Sequence, residues 1–215
     1  MMFLELFVPR GTKSPEQLRR LAEGLTMKAL LTHVDAIRDV VGGDEGSGTD
    51  PGVMDFLDTI THVVVHEIGT WVVGGNVLGP AGPTRYVARV YVPGPWRKDM
   101  SAFFVAAVTR VISQADPDPE RHHREPYVEV HVIGVPEGGY GMSGRVVGES
   151  ALLEMISDAR TGTPAPADPG VFVDPVCGMT TRDPVATLEH EGTTYGFCCL
   201  SCRRHFADRL AEAVR

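Results

Sequence analysis

The 215 residues carry 28 acidic and 20 basic side chains, a net charge of −8, with 43% hydrophobic residues. That apolar fraction supports an ordinary core and excludes wholesale disorder, and the acidic balance argues against nucleic acid or an anionic membrane as partner. No apolar run approaches the roughly 20 residues that span a bilayer, and the opening MMFLELFVPRG lacks the basic stretch of a signal peptide, so the expected compartment is the cytoplasm, where thiols stay reduced.

Residues 3–8 (FLELFV) read as a short strand stopped by Pro9. Ser14-Pro15-Glu16-Gln17 then reads as a capping box with proline in the first helical turn. Leu18, Leu21, Ala22, Leu25 and Ala29 follow at helical spacing. After DVVGGDEGSGTDPG, a polar and glycine-rich insertion, come a second strand at His62-VVVHEIGT and a glycine-rich hairpin around Trp71 and Gly75. The same order then repeats. Residues 86–92 (YVARVYV) stop at Pro93, Asp99 is placed to cap a helix, and Phe103, Phe104, Ala107, Val108, Val111 and Ile112 form an apolar helix face. A strand from His131 and a hairpin around Tyr140 and Gly144 close the second unit. Pro9 and Pro93 are 84 apart, whereas His62/His131, Trp71/Tyr140 and Gly75/Gly144 are each 69 apart.

Two β-α-β units with right-handed crossovers predict an α+β body: a four-stranded sheet with both helices on one face. The other face needs cover, most simply from further copies of the chain, so a homo-oligomer is expected. The body is assigned to residues 1–160, as halves 1–82 and 83–160. Residues 161–170 (TGTPAPADPG) read as a semi-extended linker, and residues 171–215 as a second unit.

That second unit holds every cysteine of the chain: Cys177, Cys198, Cys199 and Cys202. A disulfide framework would spread cysteines through the fold, whereas a cluster in about 45 residues points to a metal staple for a unit too small to hold a good core alone. The order is a Pro/Gly turn at Asp174-Pro175-Val176-Cys177-Gly178-Met179, a hairpin turning at His190-Glu191-Gly192, and a helix carrying Cys198 and Cys202 on one face. Three thiolates make a soft site suited to zinc or copper(I), one ion per chain. A fourth ligand is His190, His205 or none, and Cys199 has no assigned role.

The strand, proline turn, Ser14-Pro15-Glu16-Gln17 helix and Val135-Pro136-Glu137-Gly138-Gly139-Tyr140-Gly141 segment resemble the tautomerase superfamily (4-oxalocrotonate tautomerase and macrophage migration inhibitory factor) as a fused double repeat over residues 2–150. The resemblance implies a homotrimer. It also implies catalysis by an N-terminal proline amine, yet that position falls near Met2, which argues against the usual activity. An enzyme acting on a small carboxylate or enolisable substrate, with Arg10, Arg85 and Arg89 available for the carboxylate, is the alternative. The D-P-V-C-G-M opening, the G-x-x-Y-x-F-C middle and the C-x3-C pair resemble a YHS domain of the TRASH-like metal-binding group. That resemblance implies ligand positions at Cys177, Cys198 and Cys202, and a function in metal sequestration, sensing or delivery.

Overall fold

In a computed structural model, residues 2–32, 50–162 and 169–213 are described. Most of the glycine-rich insertion (39–49) and of the linker (163–168) lies outside them.

The body is built on β1 (Met2–Pro9), β2 (Thr61–Ile68), β5 (Tyr86–Pro93) and β6 (Val128–Val135). Their order is β2-β1-β5-β6. The β1–β2 and β5–β6 pairs are parallel, and β1 runs antiparallel to β5, as two side-by-side β-α-β units require. Strand alternation fixes which residues face the helices. Met2, Leu4, Leu6 and Val8 of β1 and Tyr86, Ala88, Val90 and Val92 of β5 are buried. They pack under α1 (Pro15–Gly24), α2 (Met27–Leu31) and α4 (Arg97–Gln114), which contribute Leu21, Leu30, Phe104, Val108 and Ile112 to the first core, with Leu25 just after α1.

Ser14 caps α1 as expected. Its hydroxyl accepts from Gln17 N at 3.2 Å, and Gln17 Oε1 accepts from Ser14 N at 2.8 Å. The expected continuation through Ala29 is corrected: α1 ends at Gly24, and Thr26 caps a separate α2 by accepting from Ala29 N. Asp99 is likewise not a cap. A 3-10 turn at Gly94–Trp96 leads directly into α4, leaving Asp99 inside the first turn, where its charge favours the helix N-terminus.

The small hairpins β3/β4 (Val72–Val73, Asn76–Val77) and β7/β8 (Gly141–Met142, Arg145–Val146) keep the offset of 69. The second strands do not. Thr61 pairs with Met2 and Val128 with Tyr86, an offset of 67. The extra residues of the second repeat lie in the Pro136–Tyr140 loop, so Glu129 rather than His131 is the counterpart of His62.

Two helices were not anticipated: α3 (Pro51–Thr59), capped by Asp50, and α6 (Glu149–Asp158). A single turn, α5 (Arg121–Arg124), precedes β6. The opposite face of the sheet carries no element among the described residues. Its cross-strand rows are His62–Phe3–Tyr91–Ile133, Val64–Glu5–Arg89–His131 and His66–Phe7–Val87–Glu129. There Glu5 accepts from Tyr91 Oη at 2.9 Å and meets His66 Nε2 at 3.1 Å, while the Arg89 guanidinium lies over the Phe7 ring.

Candidate metal centre

The C-terminal unit is made of three pieces that converge on one point. The strand pair β9/β10 (Phe172–Val173, Thr180–Thr181) brackets a tight loop bearing Cys177. Asp174 N donates to Met179 O at 2.8 Å and Gly178 N to Asp174 O at 2.9 Å, closing that loop. Gly178 sits at φ +71, where a side chain would be strained and would also press on Asp50. The expected hairpin is present as β11/β12 (Ala186–His190, Thr193–Phe197), with Glu191 and Gly192 at positive φ as a two-residue turn requires. It delivers Cys198 one residue beyond Phe197. Then α7 (Leu200–Ala213) begins, with Cys202 in its first turn.

The sulfurs of Cys177 and Cys198 are 3.5 Å apart, and those of Cys198 and Cys202 3.8 Å. Tetrahedral thiolate ligands at the usual zinc–sulfur distance would lie about 3.8 Å from one another, so the spacing suits a shared ion. One correction concerns the element. Cys198 lies at the strand-to-helix corner, not on the helix, so the pair meets across the corner rather than along a helix face. Cys199 gains a role from the same corner. It occupies the position before α7, and its sulfur accepts from Cys202 N at 3.4 Å, in the manner of a helix cap.

The fourth donor near the thiols is neither histidine. Among the described residues, the group whose donor atoms all lie within 4.8 Å of one another is Asp174, Cys177, Cys198 and Cys202. His190 ends β11, and His205 is buried in α7. Asp174 is fully buried, and its carboxylate accepts from Val176 N (2.8 Å), Cys177 N (3.2 Å) and Cys198 N (2.9 Å). Three backbone donors thus occupy both oxygens, and the side chain fastens the Cys177 loop to the Cys198 corner. Burial, and then the neighbouring Cys177 charge, push its pKa up to about 6. Asp174 stood inside the D-P-V-C-G-M motif, but nothing in the spacing of the cysteines signals a carboxylate at the site.

The thiols share their protons. Hydrogen bonds from Cys198 and Cys202 hold Cys177 well below the usual thiol range, while the same contact with Cys177 pushes Cys198 and Cys202 up. Cys199, in contact with Cys198 and Cys202, is likewise lowered, to about 3, so negative charge settles on Cys177 and Cys199 while Cys198 and Cys202 keep protons that a cation could replace.

Residues 175–214 match a family profile described as "C-terminal TRASH domain". The tail is TRASH-like. For the body, similar solved structures include native fused 4-OT (17% identity, 67% of this chain and 94% of that chain, TM-score 0.41). The Q0 fused 4-OT symmetric trimer (17%, 70% and 96%, 0.42) and MIF2 of Leishmania major (13%, 67% and 95%, 0.40) are similar to a like extent. No curated protein matches the chain.

The TRASH-like unit is not held at a distance from the body. Val176, Phe197 and Cys202 share a second core with Val53 and Ile60 at α3 and Leu152, Leu153 and Ile156 of α6. Two of the arginines named for a carboxylate site have other contacts. Arg85 donates to Pro126 O at 2.7 Å and lies over the Tyr127 ring, whereas Arg89 lies on Phe7. Met2 is packed into the first core. No helix among the described residues is long and apolar enough to cross a membrane.

Proposed function

We propose that this protein binds a soft metal ion, zinc or copper(I), one per chain, through the thiolates of Cys177, Cys198 and Cys202, and serves in metal sequestration, sensing or delivery in the cytoplasm. The convergence of three sulfurs on one partly buried point carries this reading. The chemistry is that of soft ligands, and the gain for the fold is large: structural zinc in small units contributes roughly 10–16 kcal/mol of apparent binding free energy. The body acts as a self-associating scaffold, a homotrimer in this reading. The support is the sheet face left open on Phe3, Phe7, Val64 and Tyr91, which another copy of the chain would cover. The domain limits 1–160 and 171–215 belong to the same proposal.

Native mass spectrometry of the full chain tests it. The wild type is expected to carry one zinc or copper(I) ion per chain, and Cys177→Ser, Cys198→Ser and Cys202→Ser are each expected to lose it. A chain that takes up neither ion, with the three variants as stable as wild type, overturns the metal reading.

A further inference from the structure

The junction between the TRASH-like unit and the body is built like an interior. Its apolar part joins α3 from the first half, α6 after the second half, and the tail's own Val176, Phe197 and Cys202. Cys202 therefore belongs to two structures at once: its sulfur lies in the thiol cluster, and the residue is 98% buried, only 2% exposed, in the shared core. The preceding residue carries the polar half of the junction. Ser201 Oγ donates to Glu149 Oε1 at 2.5 Å, and Trp96 Nε1 donates to the same oxygen at 3.0 Å. Arg204 reaches Glu149 Oε2 at 3.4 Å. On the other side, Arg160 Nη1 donates to Pro175 O at 2.6 Å, two residues before Cys177. Two of the three segments that bring cysteines to the site, the Cys177 loop and α7, are thus anchored on the body.

Resting on the metal reading above, we infer that metal loading and docking of the tail onto the body are a single coupled equilibrium, with the first turn of α7 as the shared element. An ion held by Cys177, Cys198 and Cys202 fixes that turn against the Cys177 loop. The fixed turn presents Cys202 to the shared core and Ser201 to Glu149. Without the ion, a unit of about 45 residues has too little core of its own to hold the turn in place. Its release uncovers Val53, Leu152, Leu153 and Ile156, an apolar face made of α3 and α6. The occupant of that face is the chain's own tail, and the metal decides how firmly it sits. Because coupling is reciprocal, contacts made by Glu149, far from the sulfurs in sequence, must contribute to metal affinity.

The test uses the full chain with Trp71→Phe, so that Trp96 is the sole indole. Zn(II) and Ag(I), the latter standing in for copper(I), are the probes. Readouts are ion stoichiometry, Trp96 emission, and amide exchange over 51–60 and 149–158. Loading is expected to shift the emission and slow exchange in both helices about tenfold or more. Glu149→Ala is expected to weaken ion binding about tenfold, while Glu149→Gln, whose amide oxygen still accepts from Trp96 and Ser201, stays within a few-fold of wild type. Ser201→Ala gives an independent measure should Glu149→Ala not fold. An ion bound at full stoichiometry with unchanged exchange in α3 and α6, or equal affinity in all variants, overturns the coupling and leaves the metal reading standing. Absence of any bound ion overturns both.

Discussion

Replacing Asp174 separates its two conceivable roles, fastener and ligand. In the metal-free chain, Asp174→Ala leaves the N–H groups of Val176, Cys177 and Cys198 without their acceptor in a buried place. Each such group costs about 1–3 kcal/mol, about 6 kcal/mol together at mid-range. Against this stands the penalty of burying the carboxylate itself. A pKa pushed up to about 6 corresponds to about 3 kcal/mol at neutral pH, which either neutral replacement recovers. The net expectation for Asp174→Ala is a loss of about 3 kcal/mol. Asp174→Asn keeps an oxygen for the Val176 and Cys177 bonds but turns an NH2 group toward Cys198 N. It loses one bond and recovers the burial penalty, so its stability should stay within about 1 kcal/mol of wild type. Urea unfolding of the chelator-treated full chain at neutral pH measures both, with amide exchange at residues 176, 177 and 198 as the local readout. Equal stabilities for Asp174→Ala and wild type would refute the fastening role. A variant that binds metal far less tightly, with metal-free stability untouched, would mark the carboxylate as a ligand instead.

Three further outcomes follow from packing, charge and burial. In Gly196→Ala the new methyl would overlap side-chain atoms of Phe172, so β9 must shift, and unfolding of the tail should show a loss of about 1–3 kcal/mol. Val64→Asp places a second carboxylate directly across from Glu5 on the open sheet face, and sedimentation velocity should show the oligomer dissociating; a wild type that sediments as a monomer refutes self-association. Burial, with Arg209 adding to it, depresses the pKa of His205, whose Nε2 has no hydrogen-bond partner. A depressed histidine is protonated more readily in the unfolded chain, so stability should fall as pH drops below about 6.5, and His205→Gln should flatten that slope. An unchanged slope would remove His205 from the account.

The body's sheet was legible because its signal is local. Residues alternate along FLELFV and YVARVYV, prolines stop both strands, and Ser14 begins a helix with an unmistakable cap. That the cysteines group together was legible for a similar reason, since all four fall in one short unit. What escaped was non-local or masked by composition. The helix α3 hid at the end of a glycine-rich stretch, although Asp50-Pro51 is a good start and Val53, Phe56, Leu57 and Ile60 recur at helical spacing. In α6, Leu152, Leu153 and Ile156 carry the same pattern behind a glycine. The offset of 67 in the second strands was hidden because His62 and His131 happen to share the hairpins' spacing of 69. At the site, Asp174 could be seen in its motif but not its three backbone partners, because those depend on how two separate segments meet.

The two missed helices alter the relation between the parts of the chain. A body consisting only of two β-α-β units would have one core and one open face, and a tail on a linker would be independent of both. Instead α3 and α6 share a second core with the tail's Phe197, Val176 and Cys202, against which Trp96, Met142 and Val147 of the body also pack. The burial is mutual: Val176, Phe197 and Cys202 of the tail and Val53, Leu152, Leu153 and Ile156 of the helices lie in one cluster. A three-thiol cluster placed at that seam is therefore positioned to act on the body's packing. A thiol site on the far side of the tail, away from Cys202 and Ser201, would bind the same ion without that consequence.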